Sequence, residues 1–270
     1  MSIHRPKIEK KVTVATIAKM KGVEPITMIT ASDALFATLF DGSVEMLLVG
    51  DSLNMSFNAA PDTLSADMEM MLYHTKAVCR GAKLALVVFD MPFGSYTDET
   101  KALENAVRVY RETEAQAVKI EGGSERAHII RKLTENSVAV MGHIGLMPQF
   151  VRSEGGYKVK GKDAGNIEKL VEDAKAIEAA GAFALVVEGV KSDAAKAVTE
   201  AVSIPTIGIG AGPDTDGQVL VWSDMFGFFE AFKPKFVKQY LQGAALIREA
   251  LATYVDEVKT GKFPDSEHSY

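Results

Sequence analysis

Several apolar runs of this chain end at a side chain that can do acid–base or metal chemistry. Five such residues lie at or just after the ends of strand-like runs: Asp51, Asp90, Glu121, His143 and Glu188. A single polar residue after an apolar run is often part of a turn, whereas five at the same end indicate a shared site. Because the carboxyl ends of parallel strands meet at one face, the pattern predicts the mouth of a parallel barrel and favours an enzyme.

Three of these residues are carboxylates on the second, third and fourth predicted strands. Asp51, Asp90 and Glu121 would repel one another strongly in one small site unless a cation or protons neutralised them. Oxygen ligands without a set of His and Cys favour a hard ion, so the pattern predicts Mg2+, with Mn2+ as the alternative. Taken singly, each acid is more often a helix cap or a salt-bridge partner.

Two further polar residues lie beside these acids. Lys119 is inside the fourth apolar run, where an unpaired ammonium is costly to bury. Strand alternation places Lys119 and Glu121 on one face, which predicts either a structural salt bridge or a contact with an anionic substrate. Ser52 follows Asp51 and supplies a hydroxyl and a backbone N–H for a substrate carboxylate, although serine is also a favoured helix cap.

Glu188 comes directly after five apolar residues, Phe183–Val187. Burial there is expected to raise its pKa toward neutrality, as a carboxylate general base requires; the alternative is a strand-end acid in a salt bridge. His143 is a second candidate base, and it also fits a ligand, a hydrogen-bond donor or a structural histidine. A metal, a buried base and an anion-binding lysine together favour enolate chemistry on a 2-oxo acid.

The composition excludes several classes of protein. The chain has 270 residues, 47% of them hydrophobic and 24% charged, which is ordinary for a soluble globular protein. A net charge of −6 without a dense basic block predicts no nucleic-acid partner. No uncharged apolar stretch reaches the ~18 residues of a membrane span. Segment 1–7 lacks the apolar core of a secretory signal, and with Cys79 as the single cysteine it predicts a cytoplasmic location.

Short β-rich runs alternate with longer amphipathic segments, which predicts repeated βα units and a parallel sheet. The predicted strands are Ile26–Thr30, Met46–Val49, Leu84–Phe89, Ala117–Ile120, Val138–Gly142, Ala184–Val187, Thr206–Gly210 and Gln218–Val221. The predicted helices are Ala34–Phe40, Ser65–Arg80, Thr100–Glu114, Glu125–Asn136, Ala164–Ala180, Ser192–Val202 and Val237–Val258. Eight strands favour a single-domain (β/α)8 TIM barrel over a doubly wound sheet, whose dinucleotide-binding forms carry an early glycine-rich fingerprint.

We expect one barrel domain over residues 1–270. It includes a helical extension at Lys10–Met20 and a short polar tail at Gly261–Tyr270, which we expect to be partly disordered. Two long connectors, Leu53–Leu64 and Gly145–Gly165, come after the second and fifth strands. Loops after barrel strands rise over the active-site face, so both are predicted lids, with ordinary solvated loops as the alternative.

Eight ordered motifs resemble those of the ketopantoate hydroxymethyltransferase family over nearly the whole chain. They are Val49-Gly50-Asp51-Ser52-Leu53, Tyr73-His74-Thr75, Asp90-Met91-Pro92-Phe93, Val118-Lys119-Ile120-Glu121-Gly122-Gly123, Gly142-His143-Ile144-Gly145-Leu146, Gly155-Gly156-Tyr157-Lys158-Val159, Gly208-Ile209-Gly210-Ala211-Gly212 and Thr215-Asp216-Gly217-Gln218. The resemblance implies a metal-dependent (β/α)8 barrel that forms homo-oligomers, often decamers. It implies transfer of a hydroxymethyl group from 5,10-methylenetetrahydrofolate to 3-methyl-2-oxobutanoate, which gives 2-dehydropantoate for pantothenate synthesis.

The resemblance also implies roles for single residues by their motif positions. The implied metal site consists of Asp51, Asp90 and Glu121, with Glu121 acting directly or through water. The implied substrate contacts are Asp51, Ser52, Asp90, Lys119 and His143, of which His143 has no fixed role. Glu188 matches the proton acceptor at C3 of the substrate.

Two other hypotheses compete with this function. A barrel of the phosphoenolpyruvate mutase or isocitrate lyase type also uses Mg2+ on 2-oxo acids. The lyases of that group usually need a cysteine in a dedicated loop, whereas Cys79 lies in a predicted helix. A catalytically idle scaffold barrel is expected to have lost some of the acids, and this chain has them all.

Overall fold

The computed structural model describes residues 8–230 and 232–270, so the predicted absence of a signal in segment 1–7 lies outside the described residues. Eight parallel strands form a closed barrel in which each strand pairs with the next along the chain and β8 pairs with β1. The strands are β1 (Ile26–Thr30), β2 (Met46–Val49), β3 (Leu86–Asp90), β4 (Ala117–Glu121), β5 (Val140–Gly145), β6 (Ala184–Glu188), β7 (Thr206–Ile209) and β8 (Gly217–Leu220). The predicted (β/α)8 barrel is confirmed.

Helices alternate with the strands around the barrel. They are α1 (Val14–Met20), α2 (Ala34–Phe40), α3 (Leu53–Ser56), α4 (Met68–Gly81), α5 (Glu99–Glu112), α6 (Ala127–Glu135), α7 (Ala164–Ala179) and α8 (Ser192–Ala201), with 3-10 turns at Ser124–Arg126 and Pro148–Phe150. Two helices begin later than predicted because a side chain caps them. Thr13 accepts the N–H of Thr16 at the start of α1, and Asp67 accepts the N–H of Met70 at the start of α4.

The inward positions of the strands change from apolar to charged toward their carboxyl ends. The apolar ones form one buried cluster, which includes Ile26, Met28, Met46, Leu48, Leu86, Val88, Ala117, Met141, Ala184, Val186, Ile207 and Val219. The charged or titratable residues lie two positions further along their strands, on the same face: Asp90, Lys119, His143 and Glu188. Because side chains alternate along a strand, these polar groups lie on the inner face above the apolar cluster.

Several reactive residues lie inside strands that were predicted to end before them. The ladders pair Asp90 with Lys119 and Glu121 with His143. They also pair Gly145 with Glu188, so β3 to β6 continue through these positions. Backbone pairing therefore holds the reactive side chains more rigidly than loop positions would.

Strand β3 begins later than predicted because a carboxylate binds the preceding backbone. Asp41 accepts the N–H groups of Lys83, Leu84 and Ala85 at 2.8–3.1 Å. These amides therefore bond to a side chain at the segment that enters β3. Asp41 thus fixes the entry of a strand that carries Asp90.

Replacing Asp41 by alanine should lower the free energy of unfolding by about 1–3 kcal/mol, since three amides, two of them partly buried, lose their acceptor. Chemical denaturation checks this value. Glu104→Ala, at an exposed position of α5, is the matched control and should change stability by less than ~0.5 kcal/mol. An equal effect of the two substitutions would show that Asp41 does not anchor the strand.

Residues Trp222–Tyr270 form a second compact unit. It contains α9 (Trp222–Met225), α10 (Gly243–Thr260) and a 3-10 turn at Ser266–His268. Helix α10 starts later than the predicted Val237 because the N–H groups of Tyr240 and Gly243 bond to carbonyls at Met225 and Phe226.

Part of the tail Gly261–Tyr270 was predicted to be disordered, and this is wrong for its central residues. The carboxylate of Asp265 accepts the N–H groups of Glu267 and His268 and so caps the 3-10 turn. Phe263 packs against Tyr254, with ring centroids 5.8 Å apart. Within the described part of the chain, no helix is long and apolar enough to cross a membrane.

Candidate active site

A buried ion pair lies between neighbouring strands at the inner face. The β3–β4 register places Lys119 opposite Asp90, and the Lys119 Nζ lies 2.5 Å from Asp90 Oδ1. The same Nζ lies 3.5 Å from Glu121 Oε1, so the predicted salt bridge to Glu121 exists but Asp90 is the nearer partner. Burial acts to lower the pKa of Lys119, but Asp90, Glu121 and Asp51 outweigh it and raise the pKa. The ammonium is therefore charged.

Asp51 lies beside Asp90 although the two come from different strands. The N–H of Asp51, just after β2, donates to Asp90 Oδ2 at 3.1 Å. Burial, together with repulsion from Asp90 and Glu121, raises the pKa of Asp51 well above its ordinary value. Burial also raises the pKa of Asp90, although Lys119 partly opposes this. Burial therefore disfavours the charged form of both carboxylates, and Lys119 directly compensates only the charge of Asp90.

Glu121 is buried, and contacts account for both of its oxygens. Its Oε1 lies 3.5 Å from Lys119 Nζ and 3.5 Å from His143 Nδ1, and its Oε2 accepts the N–H of Gln149 at 3.0 Å. Burial acts to raise the pKa of Glu121, but Lys119 and His143 outweigh it and lower the pKa. Glu121 is therefore the acid of the cluster whose charge the protein itself compensates.

His143 lies between two carboxylates. Its Nδ1 faces Glu121, and its Nε2 lies 3.3 Å from Glu188 Oε2, although neither nitrogen is aligned for a good hydrogen bond. Burial and Lys119 act to lower the pKa of His143, but the two carboxylates raise it to about 9. The imidazole is therefore cationic at neutral pH in this arrangement.

The predicted apolar burial of Glu188 is wrong. Its side chain keeps 19% of its surface exposed and faces a cationic imidazole. The reason is the β5–β6 register, because pairing Gly145 with Glu188 brings His143 to the same inner face. Glu188 is the most accessible of the four carboxylates, as a base that meets a substrate requires.

Ser52 lies at the entrance of α3, next to Asp51. It occupies the N-cap position, yet its side chain makes no capping hydrogen bond. The alternative interpretation of Ser52 as a helix cap is therefore not supported.

Two residues of the site were missed by the sequence analysis. Gln149 is 4% exposed, and its Nε2 donates to Asp51 Oδ2 and to the carbonyl of Met91, each at 2.9 Å. Tyr96 is 4% exposed and donates its hydroxyl to Gln149 Oε1. The one signal in the sequence was that both residues follow strands bearing reactive residues. This signal was too weak to single out Gln149, because a glutamine in a loop is usually solvated.

The two predicted lid segments contact each other. Arg152, in the loop after β5, pairs with Asp62 at 3.0 Å, and Asp62 lies in the loop after β2. Asn54 is fully buried and donates to the carbonyl of Asp62 at 2.9 Å and to Ser65 Oγ at 2.8 Å. The Arg152–Asp62 pair joins the two loops, and the Asn54 bonds fix the loop after β2 internally, while the opening and closing of the loops stay a prediction.

The donor chemistry of the site fits a divalent cation. Among residues 8–230 and 232–270, no three His, Cys, Asp or Glu side chains form a ready-made metal site, and Lys119 contacts two of the acids. When all four carboxylates are ionised, their charge exceeds that of the two neighbouring cationic side chains by two, which one divalent ion would neutralise: Asp51, Asp90, Glu121 and Glu188 against Lys119 and His143. Carboxylate oxygens are the ligands that Mg2+ prefers.

Solved structures share the fold at low sequence identity. A putative phosphonomutase from Burkholderia cenocepacia J2315 superposes with a TM-score of 0.62 and 16% identity, over 92% of this chain and 99% of that one. Phosphonopyruvate hydrolase, solved with oxalate and Mg2+, gives a TM-score of 0.61 at 13% identity, over 95% and 93% of the two chains. At such identities the likeness shows the barrel fold alone.

Curated relatives are much closer in sequence. The 3-methyl-2-oxobutanoate hydroxymethyltransferase of Aliarcobacter butzleri (strain RM4018) is 61% identical over the full length of both chains. The enzyme of the same name from Wolinella succinogenes is 61% identical over 97% of this chain and 100% of its own length. A family model described as ketopantoate hydroxymethyltransferase matches residues 11–266. The chain therefore belongs to the ketopantoate hydroxymethyltransferase family.

Proposed function

We propose that the chain transfers a hydroxymethyl group from 5,10-methylenetetrahydrofolate to 3-methyl-2-oxobutanoate and so forms 2-dehydropantoate for pantothenate synthesis. One observation carries this proposal. The barrel mouth holds two neighbouring buried carboxylates with raised pKa values, Asp51 and Asp90, together with a buried ammonium and an accessible carboxylate, Glu188. These are the parts that proton removal next to a carbonyl needs.

Asp51 and Asp90 are the residues that would hold the divalent ion, Mg2+ or Mn2+. Glu121 would complete the metal site directly or through water, beside its contacts with Lys119, His143 and the backbone of Gln149. When bound, such an ion would supply a Lewis acid that stabilises the negative charge of an enolate.

Glu188 is the group that takes the proton from C3 of the substrate. The C3–H bond breaks, its electron pair delocalises into the 2-oxo group, and a new bond then forms from C3 to the one-carbon unit. The two C–N bonds that join this unit to folate break, and one water supplies the hydroxyl oxygen. The C3 proton and one proton of that water go to the two folate nitrogens, so the folate leaves as tetrahydrofolate. His143, 3.3 Å from Glu188 Oε2, is the ion-pair partner that orients the carboxylate before it accepts the proton.

Lys119 and Ser52 are the proposed anion contacts. Lys119 is charged and lies 2.5 Å from Asp90, so it borders the position of a substrate carboxylate next to the metal ligands. Ser52 follows Asp51 and offers a hydroxyl that does not cap its helix. Asp51 and Asp90 would act on the substrate by holding the divalent ion beside it.

We also propose that the chain works as a homo-oligomer, decameric as in its family, in the cytoplasm. Helix α10 supports self-association because it exposes Leu246, Ile247 and Leu251 by 50%, 59% and 57%. Neighbouring apolar side chains at such exposure favour burial against another surface. Cys79, a buried free thiol, suits a reducing compartment.

The full reaction tests the proposed function. Purified protein is incubated with 3-methyl-2-oxobutanoate and methylenetetrahydrofolate, with and without Mg2+, and 2-dehydropantoate is followed by mass spectrometry. We expect product only when both substrates and the metal are present. Folded protein that forms none under any of these conditions would refute the proposal, and product from phosphonopyruvate in a parallel reaction would favour the mutase type instead.

A further inference from the structure

Gln149 is held in a single orientation by the groups around its amide. The Met91 carbonyl can only accept a hydrogen bond, so the end of the amide that faces this carbonyl and Asp51 Oδ2 must be its NH2 group. The opposite end, Oε1, accepts the hydroxyl of Tyr96. All four groups are nine-tenths buried or more, which leaves little water to replace these partners.

Tyr96 is well suited to fix that orientation. Burial, together with the nearby Glu121, Asp90 and Asp51, raises the pKa of its hydroxyl well above the ordinary value of 10. The hydroxyl therefore keeps its proton and donates to an acceptor. A flipped amide would place Oε1 against the Met91 carbonyl and Asp51 Oδ2, which costs the hydrogen bonds that Nε2 now donates to them.

The amide of Gln149 also fixes the orientation of the Asp51 carboxylate, because it binds one of the two carboxylate oxygens. Oδ2 of Asp51 accepts the Gln149 Nε2 at 2.9 Å, while the Gln149 backbone N–H binds Glu121 Oε2 at 3.0 Å. One residue thus engages two of the three acids at the proposed metal site. Ligand carboxylates are commonly oriented by such outer hydrogen bonds, and loss of one typically weakens metal binding by ~10–100-fold.

We propose that Gln149 is a positioning residue that orients Asp51 and Glu121 for a divalent cation, and that Tyr96 acts on Asp51 only through Gln149. The inference rests on the proposed function, because Asp51 is taken to be a ligand of the ion. It adds two residues to the site, neither of which touches the substrate. Their effect is transmitted through the amide of Gln149.

A double-mutant cycle tests this chain of contacts. The variants are Tyr96→Phe, Gln149→Met and the double variant, and methionine keeps the length of the side chain without its hydrogen bonds. Mn2+ affinity is measured by electron paramagnetic resonance on full-length protein without substrate. We expect affinity to fall ~10-fold in Gln149→Met and about threefold in Tyr96→Phe, with the double variant no weaker than Gln149→Met.

A matched cycle outside the site is available on the same barrel. Tyr110 donates to the carbonyl of Gln116 at 2.9 Å, and the Gln116 side chain accepts the N–H of Val87 at 2.7 Å. Tyr110→Phe and Gln116→Met should lower stability without changing Mn2+ affinity. If they weaken Mn2+ binding as much as the Tyr96 and Gln149 variants do, the effect is general loosening and the inference fails.

Two results would overturn the inference. The first is an unchanged Mn2+ affinity in Gln149→Met, and the second is a Tyr96→Phe effect that persists in full when residue 149 is methionine. Urea unfolding of the same variants without metal gives an independent double-mutant cycle. In this cycle the double variant should lose less free energy of unfolding than the sum of the losses in Tyr96→Phe and Gln149→Met. If the wild-type protein binds no Mn2+, the proposed metal site is refuted. The coupling between Tyr96 and Gln149 is refuted separately if the losses of unfolding free energy in the two single variants add up in the double variant.

Discussion

Replacing Glu188 by glutamine should lower kcat by ~10^2–10^4-fold, the usual contribution of a positioned general base. Glutamine has almost the same shape but cannot accept the C3 proton. The affinities for Mg2+ and for 3-methyl-2-oxobutanoate should stay within about threefold of wild type, since Glu188 lies apart from the Asp51–Asp90 pair and contacts His143. Steady-state kinetics and calorimetric titration measure the two effects separately.

The control for this substitution is Glu154→Gln, which removes a carboxylate charge from the loop after β5. Glu154 pairs with Lys160 rather than with a residue of the site, so kcat should change little. If Glu188→Gln retains wild-type kcat, the base lies elsewhere.

Replacing Asp51 by asparagine should raise the melting temperature of the metal-free protein and remove the stabilisation by Mg2+. Asp51 is buried beside Asp90 and Glu121. In the metal-free protein its carboxylate is therefore either repelled by these acids or must bind a proton, and both lower the free energy of unfolding. Relief of about 1–2 kcal/mol corresponds to a rise of roughly 2–8 °C. Wild type should instead gain about 2.7 kcal/mol when Mg2+ is present at a hundred times its Kd.

The pH dependence of this effect has a definite sign. The folded-state pKa of Asp51 lies above the ordinary value of 3.8, so the folded protein holds an extra proton over that interval. The stability of metal-free wild type therefore falls as pH rises above the unfolded value. The advantage of Asp51→Asn should be absent near pH 4 and present at pH 8, which thermal unfolding in EDTA at both pH values measures.

Asp173→Asn is the contrasting variant for Asp51→Asn. Asp173 is also buried, but it accepts the N–H of Ser124 and the ammonium of Lys169, each at 2.8 Å. Its neutralisation removes favourable partners and should lower the melting temperature. If Asp51→Asn also lowers it in metal-free protein, then the carboxylates do not repel one another as described.

The barrel and most of the site could be predicted because their signals are local. Alternation along each strand places Lys119 and Glu121 on one face whatever the rest of the chain does. A reactive residue two positions beyond an inward apolar residue then lies at the carboxyl end of the barrel. This reasoning gave the positions of Asp90 and Glu188 from short stretches of sequence.

The pairings within the site depend on features that no single segment carries. The contact of His143 with Glu188 follows from the register between β5 and β6, and Glu188 therefore faces a cation instead of apolar side chains. Gln149 reaches Asp51 because a 3-10 turn folds the loop after β5 across the barrel mouth. Loop conformation and strand register arise from the whole fold, and a sequence pattern does not contain them.

The start of α10 shows the same limit in the second unit. Apolar spacing predicted a helix from Val237, but the amides before Gly243 bond to the α9 segment instead. Such bonds between segments that are distant in sequence override local helix propensity.

Hydrogen exchange at C3 of 3-methyl-2-oxobutanoate is the measurement that tests the proposed chemistry most directly. Wild-type protein is incubated in D2O with the 2-oxo acid and Mg2+, without folate, and the methyl signals are followed by proton NMR. The account predicts that the methyl doublet collapses as deuterium replaces the C3 hydrogen, that EDTA stops this exchange, and that Glu188→Gln abolishes it. Exchange at the wild-type rate in Glu188→Gln, or no exchange by wild-type protein that binds both Mg2+ and the acid, would contradict the account.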